Sequence, residues 1–402
     1  MAVHIIRRPI LTKVIISITL LLFVSVSFVV LGSSVADKYI PGRDNKQDSL
    51  QSYKEFRASS SVTPTIVLGD KVVSDSLDFQ FLVPLSNSHF NFCRSLYTAL
   101  INDYPRPTLI NWGKEYANRY DAHADKIHGI LEYLQKLKPH QYALIMDGFD
   151  IWYQLPYTQF AAKFLDFMQG EHRKLAIFGA DKKCWPNQPN SPACTNVPSS
   201  TLPMDVYGTL TDSLQGMPDK SEAYQFNRPR WLNSGTAVGN VAVLSEIFSE
   251  ANYSISQTPP KKVFSDQMFI AEIFGRQIYN MTLDYKSEIF QTMTFSHSDV
   301  VVVDNDLLTY PRIPTSQRRR IALNRISGYV PAVLHFNGPK GAMADWWSQL
   351  WWSQQRNNPD VVAKSERIYQ SGGAFTVDGE SISWSDLCGN VNVHDPDTWS
   401  AD

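Results

Sequence analysis

The sequence predicts an α/β fold: a mostly parallel sheet with helices on both faces, preceded by one N-terminal transmembrane helix. Two observations predict this class. Apolar runs of strand length alternate with helically spaced apolar residues along most of the chain. Ahead of them lies a long uncharged apolar segment. The 402 residues suffice for a large core, and a formal net charge of −2 gives no basic field that would attract nucleic acid.

The N-terminal segment, residues 14–36, carries no charged side chain and consists mainly of Ile, Leu, Val and Phe. About 20 apolar residues span a bilayer as a helix, whereas the core of a cleavable signal peptide has roughly 7–15. Cleavage within residues 32–36 is the alternative. Basic residues concentrate in residues 1–13, which predicts a cytoplasmic tail and a lumenal remainder. Residues 37–75 are polar without an apolar period and predict a stem, so the layout suggests a Golgi or endoplasmic reticulum membrane protein.

The elements of the predicted domain, residues 76–370, follow in order. Apolar runs predict strands at residues 79–84, 108–112, 142–146, 175–178, 232–238, 300–303 and 332–336. Apolar residues at helical spacing predict helices near residues 92–101, 127–137, 160–167, 243–248 and 267–274. The Trp-dense residues 346–352 predict an amphipathic helix packed on the domain, with a stacking platform for a ligand as the alternative. Residues 371–402 are turn-rich and form an extension without an assigned role.

The cysteine count is low and even, as expected for disulfides in an oxidising lumen. The four residues are Cys93, Cys184, Cys194 and Cys388. Three pairings are possible, and the bond from Cys184 to Cys194 is favoured because it closes a loop rich in Pro and Asn. Free buried thiols are the alternative. The triplets that begin at Asn252 and Asn280 match the N-glycosylation pattern and support a lumenal domain weakly.

Two carboxylates follow a buried strand directly. Asp147 and Asp150 are separated by Gly148 and Phe149, and the apolar run 142–146 precedes them. If these four residues form a turn, their Cα atoms come within about 7 Å and both carboxylates reach one cation. Ligands of open α/β sheets bind outside the carboxyl ends of the strands, where this motif lies. A hard divalent ion held by few ligands keeps sites free for phosphate oxygens, although a helix cap or Asx turn is the plain alternative.

The motif Asp147-Gly148-Phe149-Asp150 resembles the Asp-x-x-Asp metal motif of GT-A glycosyltransferases, whose fold is Rossmann-like. In particular the chain resembles the glycosyltransferase domain of the multifunctional lysyl hydroxylases and the procollagen glycosyltransferases, over roughly residues 78–345. The other similar segments occur in the same order and are Lys126 and residues 178–186, 230–235, 265–267, 283–291 and 334–339.

The resemblance implies a metal centre and a donor. Asp147, Asp150 and His335 would bind Mn²⁺ (or Mg²⁺), and an imidazole ligand suits Mn²⁺ better. A bound cation would neutralise the charge that builds on a departing diphosphate, which is what a UDP-sugar donor requires. A lone histidine such as His335 more often has a structural role, but its place at the end of a late strand favours the ligand role.

The resemblance also implies the residues that contact the substrates. Those assigned to the nucleotide, its diphosphate and the donor sugar are Lys126, Phe149, Trp112, Asn337, Gly338, Lys340, Asn233 and Ser234. A core position is the alternative for Trp112, and a plain turn is the alternative for Asn337 and Gly338. Asp266 is the catalytic candidate on the acceptor side, with a helix N-cap as its alternative.

The function that follows is transfer of a hexose from a UDP-sugar to a hydroxyl of a glycan or protein in the secretory lumen. Collagen is a doubtful acceptor, because an anchor and stem stand in place of a signal peptide and no hydroxylase domain follows the resembling region. Two alternatives stay open: a non-catalytic membrane-anchored scaffold, and a metal-dependent phosphoester hydrolase, which would need ligands for a second metal. The sequence leaves the oligomeric state open.

Overall fold

The computed structural model describes residues 79–169, 176–207, 224–305, 319–396 and 399. The predicted cytoplasmic tail, transmembrane helix and stem lie outside these residues. Among the residues described, no helix combines the length and the apolar character needed to cross a membrane.

The elements are numbered in chain order. The strands are β1 Phe79–Pro84, β2 Thr108–Ile110, β3 Tyr142–Met146, β4 Ile151–Tyr153, β5 Ala176–Asp181, β6 Trp231–Asn240, β7 Met281–Leu283, β8 Phe290–Thr292, β9 Val300–Asp304, β10 Arg320–Asn324, β11 Val333–His335, β12 Gly373–Phe375 and β13 Ser381–Ser383. The α-helices are α1 Phe90–Ile101, α2 Arg119–Leu134, α3 Tyr157–Gln169, α4 Pro192–Thr195, α5 Val241–Ser256, α6 Asp266–Arg276, α7 Met343–Gln349, α8 Trp351–Gln354, α9 Pro359–Ser371 and α10 Trp384–Cys388.

The central sheet has the strand order β13-β12-β2-β1-β3-β6-β5-β7. β1 pairs in parallel with β2 and β3, and β5 pairs in parallel with β7. β6 runs antiparallel to both of its neighbours, β3 and β5. The α/β class is therefore confirmed, and the sheet is more mixed than the predicted mostly parallel one. β6 is apolar and buried along nearly its whole length, a pattern that fits a strand parallel or antiparallel to its neighbours. The chain connections therefore decide its orientation.

Helices cover both faces of this sheet, because the side chains of a strand point alternately to its two sides. On one face Leu82 and Ile145 belong to the apolar cluster that contains Ile127 of α2, Leu244 of α5 and Ile270 of α6. On the other face the Phe79 ring centroid lies 5.1 Å from that of Phe164 on α3. The prediction of helices on both faces is confirmed in this part of the chain.

A second, three-stranded sheet has the order β4-β11-β8 and lies beyond the end of β3. β11 runs antiparallel to β4, and in that register His335 faces Ile151, the residue directly after Asp150. This pairing brings a histidine from late in the chain beside the acidic motif.

The Trp-dense segment forms two short helices, α7 and α8, instead of the single predicted helix. Leu350 separates them because its backbone is extended, with φ −84° and ψ 157°. The tryptophans of the segment are buried, and the Trp347 and Trp352 ring centroids lie 5.6 Å apart. The structure thus shows core packing at this place.

The residues predicted as a C-terminal extension add the hairpin β12–β13 to the edge of the central sheet, where Phe375 pairs with Thr108 of β2. A disulfide joins Cys388 of α10 to Cys93 of α1. The second disulfide joins Cys184 and Cys194, as the sequence favoured.

Candidate functional site

Two carboxylates and one imidazole meet at the carboxyl end of β3. Asp147 and Asp150 flank the turn between β3 and β4, and His335 ends β11. Ligand atoms of the three side chains lie within 4.8 Å of one another, and His335 Nε2 lies 3.4 Å from Asp150 Oδ2. Backbone hydrogen bonds fix the arrangement: the Asp147 amide donates to the Gly235 carbonyl at 2.8 Å, and the Phe336 amide donates to the Asp150 carbonyl at 2.8 Å. The structure thus brings the three predicted metal ligands together.

The donor atoms of these three residues suit a divalent cation. A Cβ atom on Gly235 would lie 2.6 Å from Asp147 Oδ2 and 2.3 Å from His335 Cε1, so only glycine leaves this side of the group open. Carboxylate oxygens together with an imidazole nitrogen suit Mn²⁺. No second cluster of at least three such side chains occurs in the described part of the chain.

Two lysines contact the carboxylates of the group. Lys126 Nζ on α2 lies 2.7 Å from Asp147 Oδ1 and 2.7 Å from Asp266 Oδ2. Burial alone would lower the pKa of Lys126, but the two carboxylates outweigh it and raise that pKa. Lys340 Nζ donates to Asp150 Oδ2 and, at 2.8 Å, to the Phe336 carbonyl.

The charges around Asp150 keep it ionised. Burial would raise the pKa of this carboxyl, but His335 and then Lys340 hold it well below its usual range. Asp150 is therefore available as an anionic ligand throughout the physiological pH range.

A cavity of about 400 Å³ opens beside the metal group. The predicted site residues that line it are Asp147, Asp150, Asn233, Ser234, Asp266, His335, Asn337 and Gly338. Lys126 and Lys340 do not line it but contact its carboxylates. The volume falls in the range of small-molecule sites, which is roughly 300–1,000 Å³.

Two predicted residues lie elsewhere. Phe149 is 40% exposed, and its ring centroid lies 5.5 Å from that of His89, at the outer side of the acidic turn. Trp112 lines a separate cavity of about 220 Å³ with Lys114 and Tyr133. The structure does not bring Trp112 to the metal group, and both nucleotide roles stay predictions.

Asp266 is the first residue of α6, and its neighbour Ser265 is the N-cap, because the Ser265 hydroxyl accepts from the Gln267 amide at 3.2 Å. The N-cap alternative therefore applies to Ser265. The Asp266 carboxylate accepts from Ser234 Oγ at 2.8 Å, in addition to its ion pair with Lys126. Asp266 Oδ1 accepts from Ser265 Oγ at 3.4 Å and lies 3.4 Å from His123 Nδ1.

The asparagine side chains of the site are anchored. Asn337 Oδ1 accepts from the Met293 and Thr294 amides at 3.1 Å each. Gly338 follows with φ +78°, a left-handed conformation that favours glycine, so the predicted turn is present here. Asn233 lies within β6, at the centre of the sheet.

Asp181 and His123 are among the residues that line the cavity and to which the sequence assigned no role. Asp181 ends β5 and accepts hydrogen bonds from Asn233 Nδ2 at 3.0 Å and Asn337 Nδ2 at 2.9 Å. Its burial raises its pKa to about 6. An aspartate directly after an apolar strand is the same signal that identified Asp147, and it was present here. His123 has a weaker signal, its spacing of three from Lys126, which places both on one face of α2.

Comparison with known proteins agrees with the resemblance. Residues 218–350 match the family described as the PLOD GT domain. The resemblance to a GT-A glycosyltransferase of the lysyl hydroxylase type is confirmed. The matched stretch contains Asn233, Asp266 and His335, whereas Asp147 and Asp150 precede it. This part of the chain is therefore similar to a glycosyltransferase domain, and the fold places the acidic motif beside its His335.

Two solved structures are also similar to the chain. One is a glycosyltransferase involved in the glycosylation of the major capsid of PBCV-1, with a TM-score of 0.38 and 10% identity, covering 66% of this chain and 96% of that chain. The other is the apo structure of the bifunctional glycosyltransferase WbbM, with a TM-score of 0.34 and 13% identity, covering 74% of this chain. The match spans only 53% of the WbbM chain. No curated protein matches the chain significantly.

Proposed function

We propose that this protein is a metal-dependent glycosyltransferase that moves a hexose from a UDP-sugar to a hydroxyl of a glycan or protein in the secretory lumen. One observation carries the proposal: Asp147, Asp150 and His335 converge beside a cavity of about 400 Å³. The match of residues 218–350 to a glycosyltransferase family supports it.

The metal would be held by Asp147, Asp150 and His335. When bound, the cation supplies positive charge to the diphosphate that leaves with the nucleotide. The protein adds charge of its own at the same place, because Lys126 and Lys340 each contact one carboxylate of the group. Lys126 and Lys340 would add positive charge toward a bound diphosphate, for which a lysine acts as a point charge.

The donor sugar and the acceptor would bind beside the metal group, in the part of the cavity that Asn233, Ser234 and Asp266 line. Asn233 and Ser234 on β6 line it and present hydrogen-bonding groups suited to sugar hydroxyls. Gly338 lets the backbone approach the diphosphate closely because it has no side chain. Asp266 belongs to the acceptor side, where it orients the groups around the attacking hydroxyl.

The compartment is part of the proposal. The uncharged residues 14–36 with basic residues before them support a single-pass type II anchor of the Golgi or endoplasmic reticulum membrane. The two disulfides support an oxidising lumen for the domain.

Release of UDP tests the activity. The protein is incubated with UDP-glucose, UDP-galactose and related donors, with Mn²⁺ or with EDTA, and free UDP is measured. We expect slow Mn²⁺-dependent hydrolysis of one donor, because water replaces a missing acceptor. Asp150→Ala should abolish it with the fold intact, whereas Asp345→Ala, at an exposed position outside the cavity, should not.

The outcomes separate the alternatives. A folded protein that releases UDP from no donor is a scaffold, and the proposal is wrong. Release that persists in EDTA contradicts the metal dependence. Hydrolysis of simple phosphoesters instead of sugar nucleotides would establish the hydrolase, although the described residues supply ligands for only one cation.

A further inference from the structure

His123 is a partly exposed residue that lines the cavity next to Asp266. It lies on α2, three residues before Lys126, and its side chain is 36% exposed and lines the cavity. Its contact with Asp266 uses Nδ1, which lies 3.4 Å from the carboxylate. Within the described residues, no contact to Nε2 is found.

Asp266 is enclosed by its own partners. Oδ2 accepts from Lys126 Nζ at 2.7 Å and from Ser234 Oγ at 2.8 Å, while Oδ1 faces both His123 Nδ1 and Ser265 Oγ at 3.4 Å. The residue is only 4% exposed. Burial would raise the pKa of Asp266, but Lys126 and His123 hold it well below its usual range, so the group stays an anion. An anion so enclosed is suited to act on the substrate through a neighbouring side chain.

A carboxylate behind Nδ1 of a cavity-facing histidine is the arrangement of a positioned general base. A carboxylate that accepts Nδ1–H fixes the tautomer and leaves the lone pair on Nε2, and here the two atoms lie 3.4 Å apart. It also stabilises the imidazolium that forms when Nε2 takes a proton. The helix α2 and the N-terminus of α6 hold the two partners from separate parts of the chain.

We propose that His123 is the general base that accepts the proton of the acceptor hydroxyl, and that Asp266 is its positioning residue. The inference rests on the proposed function. In the step, the hydroxyl proton moves to His123 Nε2 and the acceptor oxygen forms a bond to C1 of the sugar. The bond from C1 to the diphosphate oxygen breaks, and its electron pair leaves with UDP. The proton later passes from the imidazolium to solvent.

The test compares two histidines on the same helix. His128 also faces a carboxylate, Glu132 Oε1 at 3.3 Å, but lies on the exposed side of α2 outside the cavity. With the donor and acceptor that wild type uses, His123→Gln should lower kcat by about 10²–10⁴-fold, the usual contribution of a general base. His128→Gln should leave kcat unchanged. The affinities for Mn²⁺ and UDP, measured by calorimetry, should stay at the wild-type values in both variants.

Two further variants distinguish a base from a structural residue. His123→Ala should regain transfer when imidazole is added, because a small base can enter the space of the missing ring. Asp266→Asn should also lower kcat, and added imidazole should not restore it, because the His123 ring still fills its space. Thermal melting confirms that each variant is folded.

The inference is overturned if His123→Gln transfers sugar at the wild-type rate, since the proton then goes elsewhere, for example to the departing diphosphate. It is also overturned if His123→Gln loses UDP affinity in step with turnover, which would make His123 a donor-binding residue. Failure of wild type to use any UDP-sugar is a different result and sinks the proposed function, and this inference with it.

Discussion

Gly235 lies so close to His335 that a Cβ atom at residue 235 would be 2.3 Å from the imidazole Cε1. The glycine belongs to β6 and the histidine to β11, so the contact joins the central sheet to the three-stranded one. The open side of the predicted metal group therefore depends on the lack of a side chain at this position.

Gly235→Ala should weaken Mn²⁺ binding. The added methyl group must displace His335 or Asp147, and disturbing the support of metal ligands typically costs about 10–100-fold in affinity. Mn²⁺ binding is measured by electron paramagnetic resonance of the free ion. Gly341→Ala is the control, because a Cβ there meets nothing within 4 Å. Equal Mn²⁺ affinity in the two variants would contradict the assigned site.

Lys340→Met should have opposite effects on the affinity for Mn²⁺ and on the affinity for UDP. Lys340 pairs with Asp150 and competes with a cation for this carboxylate. Its removal should tighten Mn²⁺ binding about fivefold, the equivalent of a pair worth about 1 kcal/mol. UDP binding in the presence of Mn²⁺ should weaken, because one positive charge near the diphosphate is lost. Calorimetry measures both. Lys364→Met, which removes a surface pair with Asp103, should change neither affinity. Weaker Mn²⁺ binding in Lys340→Met would show that the lysine does not compete.

Asp181 should make the stability of the metal-free protein fall as pH rises. Its pKa is about 6 in the folded protein and near 3.8 in the unfolded chain. Below 3.8 both states hold the proton. Between 3.8 and 6 only the folded state does, so the free energy of unfolding decreases through this window, by about 3 kcal/mol in total. Asp181→Asn removes this contribution.

Urea unfolding at pH 4 and pH 7 measures the change. The free energy of unfolding of wild type, relative to that of Asp181→Asn, should be lower at pH 7 than at pH 4. Asp345→Asn, at an exposed carboxyl, should follow wild type at both pH values. A parallel pH dependence of wild type and Asp181→Asn would contradict the raised pKa.

The two disulfides should contribute unequally to stability. The bond from Cys93 to Cys388 spans 295 residues of sequence, and that from Cys184 to Cys194 spans 10. Loop-closure entropy predicts losses of about 6 and about 3 kcal/mol when each pair is replaced by serines. Guanidinium unfolding without reductant gives both values. A larger loss from the short loop would show that chain entropy does not govern the difference.

The sequence predicted the buried strands well. The bounds of β1 and β3 match the predicted residues, because continuous apolar runs with polar flanks leave little freedom of register. The bond between Cys184 and Cys194 was likewise predictable, since a short loop keeps its ends close. The three residues of β4 were not predicted, because a strand so short carries no period of its own.

The sequence predicted those site residues that lie together in one short segment of the chain. Asp147 and Asp150 are three residues apart after an apolar strand, so local geometry brings them together. His123 could not be singled out, since helical spacing relates it to Lys126 but nothing in the sequence relates it to Asp266, on a helix far along the chain. Asp181 has the same local pattern as Asp147, an aspartate at the end of an apolar strand.

The sequence by itself determined the α/β class, the acidic pair at the end of β3 and the resemblance to a glycosyltransferase domain, because apolar periodicity and motif order are properties of neighbouring residues. Only the tertiary structure decided that β6 runs antiparallel, that His335 faces the residue after Asp150, and that Asp266 is enclosed with His123 in front of it. These facts depend on how β11 and α6 pack against elements far from them in the chain. Such packing minimises the free energy of the whole domain and leaves no local pattern in the sequence.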